Sequence, residues 1–141
     1  MSFKNLPGFK KRLKKRLVTN TEDNAEELVT RACLLVEGRV VDSIMRDPKT
    51  GRDRGDGSTA SAPGQAPAQD EGKLSGSITF NVTKDKRGVV GQIIQQSNQA
   101  PYGSDLEFGT TNIEPRPFMQ PALESQAGRI IKMFKKGGLI K

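Results

Sequence analysis

The sequence has no histidine and no tryptophan, and it has one cysteine and one tyrosine among its 141 residues. The absence of histidine removes the most common general base and metal ligand, together with every Ser-His or Cys-His catalytic arrangement. A single cysteine, Cys33, excludes an intramolecular disulfide framework and a multi-cysteine zinc site. We therefore expect a protein that is not an enzyme, needs no metal or cofactor, and is made in a reducing cytoplasm.

Long apolar runs are also missing. No stretch approaches the roughly 18 apolar residues of a membrane span. The basic start, MSFKNLPGFKKRLKKRL, is not followed by the apolar core of a secretory signal. Only 33% of the residues are hydrophobic, which predicts one domain with a modest core and some chain outside it. We expect no contact with a membrane.

Charge is distributed unevenly along the chain. Residues 1–17 contain seven basic residues and residues 129–141 contain five, and neither segment has an acidic residue. The intervening residues 18–128 contain 11 basic and 16 acidic residues, a net charge of −5. Basic ends on an acidic middle favour contact with DNA, with an acidic neighbour, or between copies packed basic end to acidic middle.

Residues 1–20 are predicted to form a basic amphipathic arm. Apolar residues recur at helical spacing at Leu6, Phe9, Leu13 and Leu17. The other face is almost entirely basic and carries Lys10, Lys11, Arg12, Lys14, Lys15 and Arg16. Three interpretations remain open: a solvated helix face, an arm that docks on an adjacent ring or tail protein, or a surface that contacts DNA without sequence preference.

Residues 21–141 are predicted to form a single α+β domain. A capping box at Thr19 and Glu22 predicts the start of a long helix over residues 22–46, with its apolar stripe from Ala25 to Ile44. Residues 48–73, rich in Gly, Pro, Ser and Ala, predict a flexible low-complexity loop, either disordered or ordered against a neighbouring ring. Alternation over residues 76–96 predicts a β-hairpin and small antiparallel sheet. A last helix is expected over residues 118–136, with an apolar stripe at Ala122, Leu123, Ala127, Ile130, Ile131 and Phe134.

The segment YGSDLEFGTTNIEPRPFMQPAL, residues 102–123, resembles the tail-completion or neck (head–tail connector) proteins of long-tailed bacteriophages. Members of that family read Y-A-x-Y-V-E-F-G-T, a short loop, and then P-x-P-F-x-x-P-A-L at the start of the final helix. The first half is matched by Tyr102, Glu107, Phe108, Gly109 and Thr110. The second half is matched by Pro115, Pro117, Phe118, Pro121, Ala122 and Leu123. This sequence departs from the pattern at Gly103 and Asp105, where the family has alanine and an aromatic residue.

The resemblance implies a small α+β virion subunit. Such subunits form a ring, commonly sixfold, between the head connector and the tail tube or terminator, and DNA passes through its lumen. Its partners would be its own copies and the adjacent connector and tail proteins.

Two interpretations of the Glu107 motif remain open. Gly109 would allow a turn, and Phe108 and Phe118 would anchor a structural corner into the core. Alternatively, Glu107 would pair with a basic residue of a neighbouring copy. For the whole chain, the alternative to a neck or tail subunit is a small basic nucleic-acid-binding protein that uses residues 4–16.

Overall fold

The computed structural model describes residues 6–141, and it describes side chains from Asn24 onward. Helices and one antiparallel hairpin confirm the predicted α+β class, with a long N-terminal helix and a C-terminal helix. In chain order the elements are α1 (Leu6–Met45), α2 (Lys73–Gly76), β1 (Ile78–Asp85), β2 (Gly88–Gln95), α3 (Gly103–Phe108) and α4 (Met119–Lys136). No described helix has the length and apolarity needed to cross a lipid bilayer.

Helix α1 is one continuous helix of 40 residues, about 60 Å long at 1.5 Å per residue. The prediction that a second helix starts at a capping box near Thr19 is therefore wrong. Cap-forming residues begin a helix only where the preceding chain leaves helical geometry, and residues 9–37 contain neither glycine nor proline. Once a helix is nucleated, adding further turns is easier than starting again.

The core lies where α1 meets the hairpin and α4. The predicted α1 stripe is confirmed by the burial of Leu28, Ala32, Val36, Val40 and Ile44. Cys33 lies beside this stripe and is also buried. The rest of the core is supplied by Leu74, Ile78, Ala100, Phe118 and Ala122.

The hairpin pairs Ile78 with Gln95 and Phe80 with Ile93, as expected for a small antiparallel sheet. Within the turn, Asp85 Oδ1 accepts the backbone N–H of Arg87 at 2.6 Å. The sheet approaches α1 closely because Gly91 has no side chain. A Cβ at this position would collide with Cys33 Sγ and lie 2.8 Å from Val29 Cγ1.

Residues 48–73 follow a defined path despite their low-complexity composition. Gly51 N donates to Ala60 O and Ala60 N donates to Arg52 O, both at 2.9 Å. The segment also contacts the chain that precedes α4, since Gly64 N donates to Pro115 O at 2.9 Å. The loop thus supports the approach to α4 by backbone hydrogen bonds, with little apolar burial of its own.

The predicted apolar stripe of α4 is only partly buried. Ala122 is in the core, but Leu123 is 52% exposed and Ile131 is 47% exposed. Residues next to each other on a helix point about 100° apart, and a two-stranded sheet is too narrow to cover both directions. The expectation that Leu123 and Ile131 face the core is therefore wrong.

Candidate functional site

Glu107 holds the start of α4 by accepting three backbone hydrogen bonds. Its Oε2 accepts the N–H groups of Phe118 at 2.7 Å and Met119 at 2.9 Å, and its Oε1 accepts that of Gln120 at 3.1 Å. The first four N–H groups of a helix have no partner within the helix. The fourth position here is Pro121, which has no N–H to satisfy. One carboxylate and one proline therefore account for all four groups. A carboxylate at this position also interacts favourably with the positive end of the helix dipole.

Gly109 makes the turn between α3 and the approach to α4. Its φ of 75° and ψ of 170° belong to a region that residues with a side chain rarely adopt. A Cβ at Gly109 would lie 2.8 Å from Pro115 Cδ and 2.9 Å from Ile113 O. Thr110 closes the following turn, because its N donates to Ile113 O at 2.8 Å and its Oγ1 accepts Ile113 N at 3.1 Å.

The remaining residues of the segment fix the corner to the domain. Arg116 N donates to Leu106 O at 2.6 Å, and Phe118 is 1% exposed. Pro117 and Pro121 line a pocket of about 230 Å³ with Arg39 and Asp47, at the far end of α1. We call the set formed by Glu107, Gly109, Thr110, Pro115, Phe118 and Pro121 the corner.

The corner supports the structural interpretation of the motif. Glu107 is 9% exposed and both of its oxygens are engaged within the chain, so the arrangement favours an internal role over an ion pair with a neighbouring copy. The predicted burial of Phe108 is wrong, since its side chain is 78% exposed. Residues 103–108 form helix α3, which the sequence analysis did not predict, and successive residues of a helix face different directions. Tyr102, before this helix, is 43% exposed.

An apolar groove lies between β2 and α4, above α1, and was missed by the sequence analysis. One depression, of about 500 Å³, includes Phe108, Phe118 and Met119 in its lining. A second, of about 350 Å³, includes Cys33, Val90, Ile130 and Phe134. The two depressions share Val36, Gly91, Ile93 and Leu123, and we call them together the apolar groove. The sequence contains three pairs of adjacent apolar residues that indicate such a surface: Val89-Val90, Ala122-Leu123 and Ile130-Ile131. A narrow domain cannot bury both residues of each pair.

The charged groups near the end of α1 perform structural tasks. Arg39 Nη1 donates to Asp47 Oδ1 at 2.9 Å, and this hydrogen-bonded pair lowers the pKa of Asp47. Lys49 Nζ donates to Ser43 O at 2.6 Å, and burial lowers the pKa of this amine. Burial, with a smaller effect from Glu37, raises the pKa of the Cys33 thiol, so the thiolate is disfavoured.

In the described part of the chain, no group of three or more Cys, Asp or Glu residues is placed where it could hold a metal ion. The predicted basic candidates Lys10, Lys11, Arg12, Lys14, Lys15 and Arg16 lie in the part of α1 whose side chains are outside the described residues. At the other end of the chain, Lys132, Lys135 and Lys136 are exposed on the last turns of α4.

No family model, curated protein or solved structure matches this chain.

Proposed function

We propose that this protein is a structural virion subunit of a long-tailed bacteriophage. It acts at the neck or tail end, where copies form a ring that completes the tail, joins it to the head connector and leaves a lumen for DNA. The role is assembly and involves no catalysis. It would be made in the host cytoplasm and end in the virion.

The single observation that carries the proposal is that the hydrogen-bonded corner lies beside a large exposed apolar surface. Phe108, Leu123 and Val90 are each more than half exposed and surround the apolar groove. Monomeric soluble proteins rarely leave contiguous apolar surface of this kind, which usually marks a site of protein association. The residues of the corner are those that carry the resemblance to neck and tail-completion proteins, and they hold Phe108 and Leu123 in place on α3 and α4.

Several features of the side-chain inventory support an assembly role over a catalytic one. The chain has no histidine. Both carboxylate oxygens of Glu107 accept backbone hydrogen bonds from the start of α4, so this buried side chain has a structural task. The thiol of Cys33 is buried and its pKa is raised, the opposite of what a nucleophilic cysteine requires.

The second candidate is a small basic protein that binds nucleic acid without sequence preference. The observation in its favour is the basic segment 1–17, together with the exposed lysines at the end of α4. Such binding would weaken steeply with salt because it depends on releasing counterions from phosphates.

Electron microscopy of particles assembled without this protein distinguishes the two candidates. The neck or tail role predicts separate, DNA-filled heads and separate tails, with joining restored when the wild-type protein is supplied. As a control, a variant in which Glu114, an exposed carboxylate outside the corner, is changed to Ala should restore joining as the wild type does. Joined, infectious particles in the absence of the protein would contradict the neck or tail role, and binding to duplex DNA that is lost on deleting residues 1–17 would then favour the second candidate.

A further inference from the structure

Three segments that are far apart in the sequence meet at one end of the domain. The end of α4 lies against α1, since Asn24 Nδ2 donates to Gly137 O at 2.8 Å. The turn of the hairpin lies against the same part of α1, where Lys84 Nζ is 3.8 Å from Glu26 Oε2. We call the surface formed by residues 24–31, 84–87 and 129–141 the basic end.

Positive charge is concentrated at the basic end. Its three segments contain nine basic and three acidic residues, a net charge of +6. The remaining residues 32–83 and 88–128 contain seven basic and 11 acidic residues, a net charge of −4. Residues 24–141 are therefore close to neutral in total, and the tertiary structure separates their charges. Residues 1–23 add a net charge of +5, and helix α1 carries them onward from the basic end.

The basic side chains of this end face solvent. Lys86 and Arg87 lie in the hairpin turn and are exposed. Lys132, Lys135 and Lys136 lie on the last turns of α4 and are exposed as well. None of these five side chains forms an ion pair with another described residue. Their charges can consequently meet an anionic partner.

The acidic residues of the basic end are engaged with other groups. Glu26 is paired with Lys84, and Glu27 Oε1 lies 3.4 Å from Arg31 Nη2. Asp85 Oδ1 accepts two backbone N–H groups of the hairpin turn. These acids therefore leave the five exposed basic side chains uncompensated.

The excess positive charge needs a partner other than a second copy. Each copy carries a net charge of +7, so contacts between copies alone leave that charge unbalanced. Duplex DNA supplies one negative charge per about 1.7 Å of its axis, and lysine and arginine bind its phosphates without reading the bases. The aromatic residue of the basic end, Phe134, is half-buried in the apolar groove. The stacking that favours single strands is therefore not supported, and the chemistry fits a duplex.

We propose that the basic end is the surface that each copy turns towards duplex DNA in the lumen of the ring. The inference rests on the proposed function and specifies which end of the subunit meets the DNA. The contacts to phosphate come from the side chains of Lys86, Arg87, Lys132, Lys135 and Lys136. Binding of this kind has no sequence preference and lets DNA slide, as a channel for DNA requires.

Binding of the full-length protein to a short labelled duplex, followed by fluorescence anisotropy over a range of NaCl concentrations, tests this surface. The test variant carries Lys132→Gln, Lys135→Gln and Lys136→Gln. Two duplexes of unrelated sequence are compared, because phosphate contacts predict equal affinity for both.

A matched control removes the same amount of charge from elsewhere on the domain. It carries Arg46→Gln, Arg52→Gln and Lys73→Gln, at three exposed basic residues outside the basic end. The test variant and the control therefore have the same net charge. A thermal melt verifies that both keep the wild-type fold.

The test variant should bind more weakly, and the slope of log K against log [NaCl] should become shallower by about 3, since each phosphate contact contributes about 0.9. The slope of the control should stay within about 0.5 of the wild type. Equal changes in both variants, or no binding of the duplex by the wild type at low salt, would overturn the inference. Displacement of the duplex by polyglutamate at an equal concentration of charge would indicate an acidic protein partner and would overturn it too.

Particles assembled without the protein separate this inference from the proposed function. If heads and tails remain separate while the test variant and the control bind DNA equally, the proposed function stands and the DNA-facing surface is wrong. If heads and tails join without the protein, the ring role fails. DNA binding by the basic end would then belong to the second candidate function.

Discussion

Glu107 and Phe108 are neighbours in the sequence and have opposite environments. The charged side chain is 9% exposed and accepts three backbone hydrogen bonds, whereas the aromatic side chain is 78% exposed. Polarity alone would place them the other way round, because burying a carboxylate is unfavourable unless its hydrogen bonds are made. Here the start of α4 supplies those bonds.

The contrast separates two tasks within a few residues. The buried side fixes the angle at which α4 leaves the corner, and the exposed side presents apolar surface. A change on the buried side should alter the stability of an isolated copy. A change on the exposed side should alter association between copies and leave stability nearly unchanged.

The largest effect is expected at Phe118, the buried aromatic residue of the corner. Phe118→Ala should destabilise the domain by about 3–5 kcal/mol, since it removes contacts and leaves a cavity in the core. Chemical denaturation followed by circular dichroism measures the loss. The matched variant, Phe108→Ala, should change the free energy of unfolding by no more than about 0.5 kcal/mol, because its ring is mostly in solvent.

Phe108→Ala should instead reduce association. Incorporation of the variant into virions should fall relative to the wild type. If Phe108→Ala and Phe118→Ala destabilise the domain equally, Phe108 contributes to the core as Phe118 does. The distinction between a buried side and an exposed side of the corner would then be wrong.

A smaller loss is expected when the carboxylate of Glu107 is removed. Glu107→Ala leaves three N–H groups at the start of α4 without their acceptor and should cost about 2–3 kcal/mol. Glu107→Gln keeps one acceptor oxygen but turns an NH₂ group towards N–H donors, so an intermediate loss is expected. The control Glu114→Ala removes an exposed carboxylate and should have little effect. Equal unfolding free energies for Glu107→Ala and Glu114→Ala would refute the capping role.

The smallest effect concerns Asp47, a carboxylate that is paired but more than a third exposed. The hydrogen bonds from Arg39 lower the pKa of Asp47, so the pair stabilises the fold above the ordinary aspartate pKa of about 3.9. This contribution is lost as the pH falls through the lower pKa of the folded state.

Asp47→Asn should therefore lower stability at pH 7 by at most about 1 kcal/mol, as expected for a solvent-screened pair. The difference from the wild type should shrink as the pH falls below about 4. Thermal unfolding across this range measures it, with Asp70→Asn, an exposed aspartate, as the control. A difference that is independent of pH would mean that the ion pair makes no contribution.

Several elements could be predicted from local patterns. The buried stripe of α1 follows from apolar residues at a period of 3.6, and the hairpin follows from alternation on either side of a turn. The importance of Glu107, Gly109 and Phe118 could be predicted from the motif that contains them. The partners of Glu107 could not, since the donors lie 11 to 13 residues away and come into reach only through the turn at Gly109.

Errors arose where the sequence offered more than one consistent answer. Thr19 and Glu22 have the spacing of a helix start, and α1 nevertheless continues through them because nothing ends the preceding turns. Phe108 and Leu123 are as hydrophobic as core residues, and they are exposed because α3 and α4 turn other residues inward.

The sequence by itself determined the buried stripe of α1, the hairpin and the last helix, where charge accumulates, and that histidine chemistry is absent, because these properties depend on residues close together in the chain. Only the tertiary structure decided which apolar residues enter the core and which form the apolar groove. That choice depends on the packing of α1, the hairpin and α4 around a core too small to cover every apolar face. The tertiary structure also decided that the carboxylate of Glu107 accepts the free N–H groups at the start of α4, because these hydrogen bonds join residues that are 11 to 13 positions apart in the chain.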